Sequence, residues 1–116
     1  MWKKEGKVSK YHSRKTVLDG ITFDSGAEAS RWSQLRLMER ANLIHDLERQ
    51  VPFQLVPEET GPDGKRLRPM RYVADFVYKD AEGKVHVEDV KGVRTEAYKI
   101  KKRLMWHILG IAVEET

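Results

Sequence analysis

Two aspartates and a lysine have the types and spacing that metal-assisted cleavage of a phosphodiester requires. Asp75 lies in the segment 71–78, and Asp89 and Lys91 lie in the segment 84–92. Both segments are rich in strand-forming residues and a short turn joins them, which predicts a β-hairpin. A divalent cation held by carboxylates lowers the pKa of a bound water and screens phosphate charge. Lys91 would orient or deprotonate that water, or stabilise the charge of the transition state.

The register of this hairpin decides which acid faces Asp75. One register puts Asp75 opposite Asp89, and a slip of one residue puts it opposite Glu88, so both remain candidates for the second ligand. Alternation places the following residues on one face: Val73, Asp75, Val77, Val87, Asp89 and Lys91. The valines predict that this face is buried, where charges are either paired or functional.

A third acid comes from a helix predicted from about Ser25 to Asn42. Glu28 precedes Trp32 by four residues and Leu35 by seven, so helical spacing places it on the apolar stripe. An inward carboxylate is costly unless something binds it. Alternatively, Ser25 to Glu28 fits a capping box, which would leave Glu28 partly exposed. The sequence leaves both interpretations open.

The remaining segments predict an α/β (α+β) fold with a mixed sheet between helices. The predicted elements are strands at 44–49 and 53–56, a loop or irregular hairpin tip at 57–69, a second helix at 96–109 and a last strand at 111–113. Apolar spacing assigns Ala97, Ile100, Leu104 and Ile108 to the core stripe of the second helix. The predicted order is therefore α-β-β-β-β-α-β.

Length and composition indicate one domain without a membrane span. The chain has 116 residues, no cysteine and no apolar run long enough to cross a bilayer. The missing cysteines make the cytoplasm the expected compartment. Residues 1–19 are basic and lack periodicity, which predicts a flexible arm ahead of a single domain at 20–116.

Positive charge is concentrated in the arm and in the second helix. The net charge is +4, with a pI near 9.4. Clustered lysine and arginine side chains favour a polyanionic partner because their contacts with phosphates release counterions. Nucleic acid, and DNA for the basic arm, is therefore the favoured partner, and the alternative is that these charges only keep the protein soluble. The candidate contacts are Lys10, Arg14, Lys15, Lys99 and Lys101.

Several motifs of this chain resemble those of a known nuclease superfamily. They are Lys10 with Tyr11, Gly20 to Ser25, Glu28, Tyr72 to Phe76, Val87 to Gly92, and Thr95 with Tyr98 and Lys102. Asp75 followed by Asp89 and Lys91 resembles the PD-(D/E)XK signature. The whole pattern is similar to a small phage- and prophage-associated family of uncharacterised proteins within that superfamily. Ala74 stands where the signature has proline, and Asp89 stands where glutamate is commoner.

The resemblance implies a restriction-endonuclease-like αβββαβ core and an active site built from four residues. Carried over position by position, Glu28, Asp75, Asp89 and Lys91 are the catalytic residues, and the three acids are the ligands of Mg²⁺ or Mn²⁺. Tyr98 and Lys102 match the helix pattern without an assigned role. Glu88 remains the alternative ligand because it adjoins Asp89.

The expected function is a Mg²⁺-dependent DNA endonuclease related to phage, with branched or nicked DNA as its substrate, as for a Holliday junction resolvase. Relatives in the superfamily suggest a homodimer, by analogy alone. The alternative is a non-catalytic nucleic-acid-binding module, or a phage accessory protein, that keeps the fold while its acids pair with neighbouring cations.

Overall fold

A computed structural model describes residues 15–116. The elements in chain order are β1 (Thr16–Leu18), β2 (Ile21–Phe23), α1 (Gly26–Arg40), β3 (Ile44–Val56), β4 (Glu59–Thr60), β5 (Arg66–Leu67), β6 (Met70–Asp80), β7 (Val85–Asp89), α2 (Glu96–Leu109) and β8 (Val113–Glu115). Over this span no helix combines the length and the apolar character that crossing a membrane requires.

Four strands form a mixed central sheet in the order β3-β6-β7-β8, which the two helices flank. β6 pairs antiparallel with β3 and β7, whereas β8 pairs parallel with β7. A parallel neighbour requires a crossover connection, and α2 provides it. Without the hairpins β1–β2 and β4–β5, the order is α-β-β-β-α-β. The predicted α+β class with a mixed sheet is confirmed.

Helix α1 begins where its capping residue predicts. Ser25 has an extended backbone, and its side chain accepts a hydrogen bond from the Glu28 backbone N–H at 3.1 Å. Trp32 and Leu35 are buried against Phe76 and Tyr78 of the sheet, so the predicted apolar stripe does face the core. Asn42 follows the helix with a φ of 61°, a left-handed conformation that asparagine tolerates at such an end.

The core stripe predicted for α2 is wrong except at Leu104, which is partly buried and packs against the core. Tyr98 and Met105 are its buried residues, whereas Ile100 and Ile108 are 56% and 44% exposed. Apolar spacing predicts the stripe that contains Ile100 and Ile108, because tyrosine carries a polar hydroxyl group and is not counted as apolar. In the fold that hydroxyl donates to Glu115 at 2.8 Å, so the Tyr98 ring can be buried without losing a hydrogen bond.

The predicted buried face of β6 is also wrong. Tyr72, Ala74, Phe76 and Tyr78 are the buried residues, while Val73 is 48% exposed. Phe76 and Tyr78 pack with α1, but Tyr72 and Ala74 pack with α2. Simple alternation would place all four on one side, so the strand changes sides at Asp75.

The neighbouring strand is irregular at the same level. Pairs Arg49–Phe76 and Val51–Ala74 bracket Gln50, which therefore lies opposite Asp75 with a left-handed φ of 51°. The two strands predicted at 44–49 and 53–56 are one continuous strand, β3, with register shifts. Pro52 does sit at a sheet edge, since β3 has a single neighbour.

Two further differences concern the ends of the chain. Residues 16–18, assigned from sequence to the basic arm, form β1 and pair with β2 through Asp19-Gly20. Both of these turn residues have positive φ, as a two-residue hairpin turn requires. The last strand is Val113–Glu115 rather than 111–113.

The identity of the α2 core stripe can be tested by truncation. Met105→Ala removes a fully buried side chain and should lower the free energy of unfolding by about 2–5 kcal/mol. Ile108→Ala, on the same helix, should change it by less than about 0.5 kcal/mol. Urea denaturation followed by circular dichroism measures both, and equal losses would contradict the assignment.

Candidate active site

The hairpin strands part at the two aspartates, and this opens the site. Phe76 pairs with Glu88, so the same register continued by one residue puts Asp75 opposite Asp89. Beyond that point the Val90 backbone N–H donates to Asp75 Oδ2 at 2.9 Å instead of to a strand carbonyl. The Asp75 carboxylate therefore takes the place of a backbone partner and holds the diverging chain.

Glu28 reaches the same place from α1. Its side chain is only 5% exposed, which supports the inward interpretation over an exposed capping-box glutamate. Gln50 Nε2 lies between two acids: it donates to Glu28 Oε2 at 3.2 Å and to Asp75 Oδ1 at 3.4 Å. One side-chain amide thus bridges the helix acid and the strand acid.

Burial and neighbouring charge raise the pKa values of both bridged acids. For Glu28, burial raises the pKa most, and Asp24 raises it further. For Asp75, burial raises the pKa most and the neighbouring Asp89 carboxyl raises it further, to about 7. Carboxylates that lie close together repel one another, and this disfavours their charged forms. The site therefore favours added positive charge.

Asp89 is held on both of its oxygens and is only 2% exposed. Tyr72 donates its hydroxyl to Oδ2, and Lys91 Nζ lies 3.3 Å from Oδ1. The same ammonium lies 4.1 Å from the centre of the Tyr98 ring, within cation–π range. Tyr98 and Asp89 together therefore fix the position of Lys91.

An open cleft of about 330 Å³ gives access to these groups. Glu28, Asp75 and Lys91 line it, whereas the buried Asp89 does not. The other lining residues are Asp24, Ser25, Ala27, Val90, Gly92 and Thr116. Lys15 Nζ lies 3.3 Å from Asp24 Oδ1, which brings one predicted DNA-contact lysine to the rim of the cleft.

Glu88 has a different environment, on the α1 side of the sheet. Arg31 donates to its two oxygens at 2.8 and 2.7 Å, and Tyr78 donates its hydroxyl as well. Burial alone would raise the pKa of Glu88, but the hydrogen bonds from Arg31 and Tyr78 outweigh it and hold the pKa below its ordinary value. This geometry favours Asp89 over Glu88 as the partner of Asp75.

The donor chemistry suits the hard divalent cation that the resemblance implies, since all three acids offer carboxylate oxygens. In this structure the three acids accept hydrogen bonds from Gln50 and Tyr72. They do not surround a common point, as the ligands of one metal ion would. Among residues 15–116, no group of three or more His, Cys, Asp or Glu side chains is placed to hold a metal ion. The Gln50 side chain occupies the space between Glu28 and Asp75. The three acids can therefore bind one metal ion only after Gln50 has moved.

The remaining predicted residues lie on or near α2. Lys99 and Lys102 line a second pocket with Tyr98, and Lys102 Nζ lies 3.1 Å from Glu115. Lys101 is on the same helix but does not line that pocket. Two more of the predicted DNA contacts, Lys10 and Arg14, lie outside the described residues.

Sequence reasoning missed three residues that organise the site. Gln50 bridges Glu28 and Asp75, Tyr72 binds Asp89, and Arg31 neutralises Glu88. Gln50 carries no local signal, because its role depends on the pairing of β3 with β6. Arg31 could have been found, since it stands three residues after Glu28 and therefore on the same side of α1.

Two substitutions distinguish Glu88, which is paired with Arg31, from the cluster of Glu28, Asp75 and Asp89, here called the gathered acids. Glu88→Gln should lower the free energy of unfolding at neutral pH by about 3 kcal/mol, because Arg31 loses its buried partner. The depressed pKa means that the ion pair stabilises the fold above the ordinary pKa of 4.5, and that this stabilisation is lost as pH falls through the lower folded pKa.

Asp75→Asn should leave stability unchanged or raise it at neutral pH. It removes the repulsion among the gathered acids and keeps an oxygen for the Val90 N–H. Denaturant unfolding of both variants at neutral and acidic pH measures the contrast. A larger loss for Asp75→Asn than for Glu88→Gln would contradict it.

Comparison with known proteins identifies the family. No curated protein matches the chain. One family model, described as "Protein of unknown function (DUF1064)", matches residues 8–108. The matched span includes Glu28, Asp75, Asp89 and Lys91. Because the match covers most of the sequence, the chain belongs to the DUF1064 family.

Proposed function

We propose that this protein is a Mg²⁺-dependent DNA endonuclease of the PD-(D/E)XK type. The observation that carries the proposal is the gathering of Glu28, Asp75 and Asp89 with Lys91 where the hairpin strands part. Carboxylates with raised pKa values, placed beside a lysine in an open cleft, are typical of functional sites. A purely structural role would have paired each acid with a cation, as Arg31 does for Glu88 and Lys91 for Asp89, but among residues 15–116 neither Glu28 nor Asp75 forms a salt bridge.

Glu28, Asp75 and Asp89 would hold the cation, in place of the Gln50 amide that now bridges Glu28 and Asp75. Mn²⁺ would bind the same oxygens. The cation supplies an activated water and neutralises charge on the phosphate. Gln50 is an exposed residue of the edge strand β3 with a left-handed φ of 51°, and an exposed side chain can change its rotamer.

Lys91 has the position for direct action on the scissile phosphate. Its ammonium faces the cleft, is 22% exposed, and is held by Asp89 and the Tyr98 ring. A cation held in a partly water-excluded site stabilises negative charge that develops in a transition state. Lys91 therefore orients the attacking water or stabilises the phosphorane charge.

The proposed substrate is phage-related DNA with branches or nicks, as for a Holliday junction resolvase. Lys15 at the rim of the cleft and the lysines of α2 would contact its phosphates, together with Lys10 and Arg14. A homodimer would supply one site for each strand. The proposed compartment is the cytoplasm of the host cell.

Cleavage of DNA tests the proposal. Purified protein with Mg²⁺ should cleave at least one of linear, nicked, flapped or four-way DNA, and EDTA should abolish cleavage. Asp75→Asn and Lys91→Ala should each reduce the rate by about 100-fold or more, because they remove a metal ligand and a charge at the reacting phosphate.

Lys79→Gln and Asp46→Asn are matched controls on the same sheet. Lys79 Nζ lies 3.5 Å from Asp46 Oδ2 in an exposed ion pair outside the cleft, so neither substitution should change the rate. Absence of cleavage by the wild type, or equal rates for Asp75→Asn and Asp46→Asn, would refute the nuclease assignment.

The second candidate function is a non-catalytic nucleic-acid-binding module. The observation that favours it is that, among residues 15–116, no three acids are placed to hold a metal ion, while Gln50 bridges Glu28 and Asp75. This function predicts DNA binding that weakens steeply with salt and is unaffected by Mg²⁺ or by Asp75→Asn. The nuclease proposal instead predicts that Asp75→Asn removes any effect of the metal on binding.

A further inference from the structure

We propose that a pocket beside α2 binds an unpaired nucleobase together with its flanking phosphates. That this nucleotide belongs to the cleaved substrate rests on the proposed nuclease function; the binding itself does not. The pocket has a volume of about 540 Å³, within the range of small-molecule sites. Its lining residues are Arg94, Tyr98, Lys99, Lys102, Arg103, Trp106, Ala112, Val113 and Glu115.

An exposed tryptophan supplies a stacking surface. Trp106 is 61% exposed although it is the largest side chain on α2. Burying such a ring against a base removes much apolar area from water, and stacking on an aromatic side chain stabilises a bound base. Trp32, by contrast, is buried in the α1 core and cannot serve this purpose.

The charges of the pocket suit a polyanion. Four cationic side chains and one carboxylate line it. The carboxylate, Glu115, is already bound: Arg94 Nη2 lies 2.6 Å away, and Tyr98 and Lys102 donate at 2.8 and 3.1 Å. Glu115 therefore holds two of the cations in place at the base of the pocket. Lys99 and Arg103 are exposed along the helix and can meet phosphates.

The pocket adjoins the candidate active site through two connections. Tyr98 lines the pocket while its ring contacts the Lys91 ammonium, which lines the cleft. Glu115 lines the pocket and the next residue, Thr116, lines the cleft. A single nucleic-acid strand can therefore place one phosphate at Lys91 and a nearby base on Trp106.

An unpaired base fits this pocket better than duplex DNA does. Paired bases expose only their edges in the grooves, whereas stacking on Trp106 requires a free base face. Lysine and arginine side chains around an aromatic ring are the combination that single-strand binding surfaces use. The inference therefore narrows the substrate class to nucleic acid with an unpaired nucleotide, such as a flap, a branch or a frayed nick.

Fluorescence anisotropy in EDTA tests the pocket without any cleavage. The probes are a labelled single strand of about 12 nucleotides and the matching duplex. Trp106→Leu should weaken single-strand binding about tenfold and leave duplex binding unchanged. Trp106→Phe should retain most of the affinity because it keeps an aromatic face. Ile100→Ala, another exposed apolar residue of α2 outside the pocket, is the matched control and should have no effect.

An abasic strand of the same length separates base stacking from phosphate contacts. The wild type should bind it about tenfold more weakly than the normal strand, whereas Trp106→Leu should bind both equally. Equal binding of both strands by the wild type, or equal losses for single strand and duplex in Trp106→Leu, would overturn the proposal. So would a change of oligomeric state in Trp106→Leu, seen by size-exclusion chromatography, since that would make the pocket a contact between copies.

These outcomes are independent of the nuclease assignment. Loss of cleavage in Asp75→Asn with single-strand binding intact supports both proposals. Normal cleavage with no base-dependent binding refutes the pocket alone. Base-dependent binding by a wild type that never cleaves refutes the nuclease alone.

Discussion

The hydrogen bond from the Val90 backbone N–H to the Asp75 carboxylate is the contact on which the site depends. At this point β6 and β7 stop pairing, and the Asp75 side chain accepts the hydrogen bond that a backbone carbonyl would accept in a continued ladder. The parting strands leave room for Glu28 from α1 and Lys91 from the end of β7. A regular hairpin would have continued the backbone ladder and closed the cleft.

Two adjacent acids on β7, Glu88 and Asp89, have different environments because of the pleat of the strand. Successive residues point to opposite faces. Glu88 meets Arg31 and Tyr78 on the α1 side, where its charge is fully matched. Asp89 points the other way, towards Asp75, and is paired with Lys91, whereas among residues 15–116 neither Asp75 nor Glu28 forms a salt bridge. Unmatched negative charge is costly to fold and is what a cation site needs.

The sequence predicts the class of fold and the position of α1 because those depend on local signals. Ser25 caps α1, and Trp32 and Leu35 mark its inner face. The candidate acids follow from residue type on a predicted hairpin, and the structure brings Glu28, Asp75 and Asp89 to one place. The local pattern does not contain the irregularity at Asp75. Because β6 changes sides at this residue, simple alternation predicts the wrong buried face for the strand.

Non-local contacts account for the other differences. Gln50 acquires its role only through the pairing of β3 with β6, 25 residues apart along the chain. The burial of Tyr98 depends on Glu115, which accepts the hydrogen bond of its hydroxyl. Because Glu115 lies on a strand that comes after the helix, the pattern of α2 alone does not predict this burial. Asp19-Gly20 is different: the dipeptide is a strong hairpin signal, and β1–β2 was therefore within reach of sequence reasoning.

The central claim is that the gathered acids form a divalent-cation site, and calorimetric titration with Mn²⁺ tests it most directly. The account predicts one saturable site in the wild type that is lost in Asp75→Asn and retained in Glu88→Gln, whose acid lies on the other face of the sheet. No binding by the wild type, or binding that Asp75→Asn leaves intact, would contradict it.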